Sequence, residues 1–148
     1  MARFAIEMNR TASTTLPVGS IGVASTTRFK LYDLMVGSEA TPQDSIFLWR
    51  MFAVSAQGTS TGVTPKPLDI SDVVASVTTA GENHTIDSTP VGGAQLSIPL
   101  NQRATFRWVA SPGGELISPS TNAAGFALYT PTASALIAVT ATAHIEQQ

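Results

Sequence analysis

Along much of this chain, hydrophobic and polar residues alternate with a period of two. That is the period of a strand with one face against a core. Residues 101–115 show it most clearly. Ala104, Phe106, Trp108 and Ala110 share one parity, and Thr105, Arg107 and Val109 share the other. Ser111-Pro112-Gly113-Gly114 then ends the run, because proline has no donor for a ladder and glycine admits positive φ. The pattern predicts a half-buried strand with Phe106 and Trp108 inside. Arg103 and Arg107 fall on its cationic outer face.

The same reading predicts further elements. Residues 2–8 form a short extended arm, followed by a Thr/Ser/Gly/Pro loop through residue 20. Such an arm either docks on a neighbouring subunit or joins a sheet of its own domain. Residues 21–35 read as one long strand, with Ile21, Val23, Phe29 and Leu31 inward. Thr41-Pro42-Gln43-Asp44 carries a helix-start signature, with a capping threonine and a proline at the first helical position, so a single helical turn is expected there. Residues 46–56 are apolar on both parities, the mark of a strand covered on both faces. Residues 57–67 and 81–90 read as loops. A short helical turn is expected at residues 68–72, and residues 73–79 fit helix or strand equally well. Residues 95–100 form a strand that Pro99 confines to an edge or a strand end. Short strands follow at residues 115–117 and 126–130, and the last at residues 136–145.

Many short strands, turn signals about every 8 to 12 residues and no long amphipathic helix define an all-β fold. The expected architecture is an antiparallel β-sandwich or a jelly-roll-like barrel with one or two short helical turns. Residues 1–20 are the arm and loop, and residues 21–148 a single sandwich domain. At 148 residues the chain is long enough to bury a real core without a metal or disulfide.

Composition narrows the function. There are no cysteines, which excludes disulfides, thiolate nucleophiles and Cys-based metal sites. The net charge of −2 gives no basic surplus for nucleic acid. No apolar run is long enough for a transmembrane helix, and the N-terminus lacks the apolar core of a signal peptide. Only 12% of residues are charged, about half the usual share. Ser and Thr supply much of the polar surface, which suits either a Thr-rich β domain or strands that pack against neighbours.

Candidate chemistry is sparse. His84 falls in a loop and His144 on the outer parity of the last strand, too scattered for a metal site. No G-x-S-x-G elbow, P-loop or carboxylate pair is present. The expectation is therefore no enzyme, no metal and no cofactor. Binding and assembly are left. Tyr32, Trp49, Trp108 and Tyr129 are candidate contact residues, with a place in the core as the alternative. The interface candidates are Phe4, Ile6, Met8 and Arg10 on the arm, Trp49 and Met51 on the doubly apolar strand, and Arg103 and Arg107. The two arginines either face an acidic partner or pair with Glu115 or another acid of the same chain.

Residues 30–34 (KLYDL), 37–44 (GSEATPQD), 63–69 (VTPKPLD) and 101–110 (NQRATFRWVA) resemble a group of small all-β proteins of tailed phages and prophages. The likeness covers most of the chain and is to virion proteins of the cement or decoration kind. Those sit on the outside of a capsid and bridge major capsid proteins, often as trimers. The resemblance implies a structural virion protein on the capsid exterior, made in the host cytoplasm. Its partners would be the major capsid protein and itself, with neither nucleic acid nor membrane. It brings no catalytic motif. On this reading the arm would extend onto a neighbour by strand addition. The rival is a carbohydrate- or receptor-binding sandwich of a phage fibre or tail. A small hydrolase is the third reading and needs a pocket of convergent polar groups.

Overall fold

The computed structural model describes residues 1–23, 27–71, 78–131 and 137–148. The strands are β1 (Arg3–Thr11), β2 (Gly19–Val23), β3 (Phe29–Ser38), β4 (Ile46–Ala56), β5 (Thr59–Val63), β6 (Lys66–Pro67), β7 (Thr78–Ile86), β8 (Thr89–Asn101), β9 (Phe106–Val109), β10 (Leu116–Ile117), β11 (Gly125–Tyr129) and β12 (Ala138–Gln147). They form two six-stranded antiparallel sheets packed face to face. The first runs β6–β1–β12–β3, with β9 and β10 in line along the far side of β3. The second runs β5–β7–β2–β11–β4–β8.

The pairing follows one rule. β1 pairs with β12, β2 with β11, β3 with β9 and β10, and β4 with β8. Each is a rung of one long hairpin rolled over itself, the wiring of a jelly roll, and β3–β12 and β4–β11 join such pairs within the two sheets. β5, β6 and β7 are an insertion between β4 and β8, widening each sheet beyond β1 or β2. Both sheets keep free borders, so the fold is a sandwich and not a closed barrel.

Alternation builds the core. Phe4, Ile6 and Met8 of β1 face Ile21 and Val23 of β2 across the seam, together with Phe47, Trp49 and Met51 of β4. Val139, Ala141, Ala143 and Ile145 of β12 line the middle of the first sheet. Phe29 and Phe126 meet edge to face at 5.8 Å, joining the sheets. Each such side chain contributes roughly 1.5–3 kcal/mol on burial.

Several expectations are corrected. Residues 3–11 are no free arm: they are β1, hydrogen-bonded between β12 and β6. Three large apolar side chains of one parity make a core strand. The stretch 21–35 is two strands in different sheets. No helical turn forms at Thr41–Asp44. Thr41 adopts φ 45°, which an N-cap does not. The polar groups there reach across the fold instead, with Asn101 Nδ2 donating to Asp44 at 2.6 Å and Gln43 N to Gln102 at 3.0 Å. At residues 68–71 Asp69 Oδ1 accepts from Ser71 N and Oγ, closing an Asx turn rather than a helix. Asp72 and most of residues 73–79 lie outside the described residues. The expected loops 57–67 and 81–90 contain β5, β6, most of β7 and the start of β8.

Candidate functional site

The densest charged chemistry sits on the outer face of the first sheet, where β3 is bulged. Phe29 and Leu31 point inward, and so do Leu34 and Val36. The parity switches because β12 pairs His144 with Asp33 and then Ile145 with Leu31, leaving Tyr32 as the extra residue. The bulge turns Asp33 outward. Arg107 of β9 meets it in a bidentate fork, Nε to Oδ1 at 2.9 Å and Nη2 to Oδ2 at 2.6 Å. His144 Nδ1 lies 2.9 Å from the same Oδ2 and donates to it. The Asp33 side chain is only 3% exposed, against 60% for Arg107 and 20% for His144. The Arg107 guanidinium holds the Asp33 carboxyl below its ordinary range, and the His144 bond adds to this against the opposing effect of burial.

Beside this cluster lies a cleft of about 270 Å³ lined by Arg3, Lys30, Tyr32, Ala110, Pro112, Glu115 and Glu146. Arg3 donates to Glu146 at 3.0 Å, and its guanidinium carbon lies 5.9 Å from the centre of the Tyr32 ring. Ala110 N bonds Tyr32 O, pinning the edge segment to the bulge. The chain then leaves the sheet in a turn closed by Gly114 N on Ser111 O, with Gly113 at φ 82°. That turn is the outer wall of the cleft.

An Asp–His pair is two-thirds of a hydrolytic triad, but geometry denies it the rest. Among the described residues no hydroxyl bonds His144 Nε2, so the third member of such a triad is not in place there. No group of three His, Asp or Glu side chains converges among the described residues. A second histidine cluster lies on the second sheet. There His84 Nε2 is 3.0 Å from Ser20 Oγ, and Arg10 donates to the carbonyls of His84 and Pro17. His84 is 1% exposed and its Nδ1 has no partner among the described residues. Burial pushes its imidazole toward the neutral form. Nearby, Tyr129 donates to Asp87 at 2.7 Å, and burial together with this bond pushes the phenol up. This serine–histidine pair is closed to any substrate.

The interface candidates fare unequally. Phe4, Ile6, Met8, Trp49 and Met51 are at most 2% exposed and belong to the chain's own core, so none presents a surface. Arg10 ties β1 to the second sheet. Arg107 pairs with Asp33 across the strand pair, and Arg103 projects into solvent without a side-chain partner among the described residues. Phe106 is 43% exposed, since β9 is a border strand, while Trp108 is partly buried and packs on the core. The sequence reading missed Asp33, His144, Arg3, Glu115 and Glu146 as a group. The visible signal was the parity switch between Leu31 and Leu34.

Exposed large apolar residues gather in patches. Phe106, Val109 and Ile117 occupy the β9–β10 border of the first sheet. Met1, Leu68 and Ile70 occupy its opposite border, beside β6. Ile86 at the end of β7 and Val91 near the start of β8 are exposed on either side of the connection between these strands, and Val91 also lines an apolar cleft of about 220 Å³ with Ala53, Val54 and Pro119. Set against protein-family models, curated proteins and solved structures, the chain has no significant match.

Proposed function

We propose that this chain is a structural virion protein of the cement type, which binds the outer surface of a phage head and stabilises it. The observation that carries the reading is the grouping of exposed apolar residues into separate patches on a sandwich that holds no converging catalytic groups among its described residues. Patches of this kind mark contact surfaces. The resemblance of residues 30–44, 63–69 and 101–110 to phage cement proteins supports the same assignment. Core packing of Phe4, Ile6 and Met8 removes the arm from the mechanism. The capsid contact is assigned instead to the start of β8, where exposed Val91 lines an apolar cleft and Ile86, at the end of β7, lies five residues before it.

The test is cosedimentation of the purified chain with heads assembled from the major capsid protein of the same genome. Saturable binding at a fixed ratio, weakened about tenfold or more by Val91→Asp, is the expected result. Absence of binding overturns the reading. A second reading, a carbohydrate-binding module, is favoured by the Tyr32 cleft with its two carboxylates and two cations. Saturation-transfer NMR with a panel of cell-surface sugars tests it, and contacts at Tyr32 and Glu115 would be decisive.

A further inference from the structure

The two borders of the first sheet match each other level by level. Reading straight across the strands, Arg107 pairs with Met35, Met35 with Thr142, and Thr142 with Glu7. The row thus runs from Arg107, whose charge Asp33 already balances, to the acid Glu7 of β1. A lower row runs Ile117, Lys30, Glu146, Arg3, and Leu68 N is hydrogen-bonded to Arg3 O. In that row an exposed apolar residue at one border answers an exposed apolar residue at the other. Above the Arg107 row, Arg103 extends unpaired into solvent. At the opposite border an acid-lined cleft of about 370 Å³ contains Glu7 and Glu82 against the single cation Lys66. Charge and hydrophobicity are therefore complementary between the borders, in the same order along the strands.

We propose that these borders are the two halves of one head-to-tail interface between copies of this chain. Arg103 of one copy enters the Glu7–Glu82 cleft of the next, and Ile117 covers Leu68. A copy displaced sideways, with its strands pointing the same way, meets its neighbour with every level in register. Head-to-tail contacts generate closed rings when the rotation between copies closes. The ring axis then runs roughly along the strands. The inference deepens the cement reading and rests on it for what the ring is used for. The contact itself stands on the border geometry.

Light scattering coupled to size exclusion on the full chain tests it. The expected result is an oligomer of defined mass that dissociates as salt is raised. Leu68→Asp and Ile117→Asp should each raise the concentration at which it dissociates by about tenfold or more. Both residues are exposed, so the thermal melt of each protomer stays unchanged. Arg103→Glu alone, or Glu7→Lys alone, weakens the oligomer, and the double exchange restores it. Mixing Leu68→Asp with Ile117→Asp leaves one intact contact and yields dimers but no ring. A monomeric wild-type chain, or an oligomer indifferent to these changes, overturns the interface. A ring that fails to sediment with heads leaves the interface standing and removes the cement reading; a chain that binds heads without forming a ring does the reverse.

Discussion

Asp33 and His84 are both almost wholly buried, and the two sheets hold them in opposite ways. Asp33 is kept charged by a guanidinium that itself stays in water, so its carboxylate is satisfied twice over and remains next to an open cleft. His84 is kept neutral chiefly by burial, with one ring nitrogen on Ser20 and only a weak opposing pull from the Gln57 backbone. A buried ionised group persists only with partners of opposite charge, whereas a group that is able to shed its charge tolerates a poorer setting. The first arrangement leaves a charged group at the surface. The second only holds strands in place.

The severest way to break this comparison removes what the two regions share. β1 borders β12, which carries His144, and its Arg10 donates to the His84 carbonyl. Deleting residues 1–11 also takes Phe4, Ile6 and Met8 from the core. At roughly 1.5–3 kcal/mol each, against a total of about 5–15 kcal/mol for a domain, the loss is expected to abolish cooperative unfolding in thermal circular dichroism. A sharp, reversible transition in the truncated chain would show that β1 is dispensable.

A smaller effect separates the two sites by pH. The ordinary histidine value is 6.5, and His84 lies below it in the fold. Below that pH the unfolded chain takes up a proton that the folded chain refuses. Stability is therefore full above about 6.5 and falls as pH drops toward the folded value, by at most about 1.4 kcal/mol per pH unit for one proton. His84→Leu should flatten this part of the denaturation profile while costing less than about 2 kcal/mol near pH 8. An unchanged slope would mean that His84 is not the group responsible.

The mildest perturbation tunes the other site. The pairing of Asp33 contributes stability above its ordinary value of 3.8 and loses it as pH falls through the lower folded value. In Arg107→Ala the Asp33 carboxyl is expected to titrate at higher pH than in the wild type, read directly by carboxyl carbon NMR. The acid limb of the stability profile then moves toward neutrality. A titration that does not move would assign the lowering to His144 instead.

Much of the architecture was legible in local pattern. β4 spans residues 46–56 as expected, although it is not covered on both faces: Phe47, Trp49 and Met51 are buried while Ile46 is 64% exposed; Pro99 lies in β8, a sheet border. Patterns that depend on partners were not legible. Phe4, Ile6 and Met8 alternate as any arm might, and only β12 makes them a core strand. The helix-start signature at Thr41 lost to a hydrogen bond donated by Asn101 to Asp44 and one donated by Gln43 to Gln102, partners that lie far along the chain. Thr-rich and Gly-rich residues 57–67 look like loop until β7 and β1 supply ladders for them. The Asp33–His144 contact joins residues 111 positions apart, so no spacing rule reaches it.

The wiring also dictates when the molecule comes into being. β12 fills the gap between β1 and β3, and β11 the gap between β2 and β4. On the ribosome β1 to β4 are therefore made long before the strands that join them. Until then each of the four has a neighbour on one side only, and nearly every native pairing spans a long stretch of chain. Such topologies fold slowly and expose sticky edges meanwhile. The arrival of β11 and β12 is the step that lets this sandwich close.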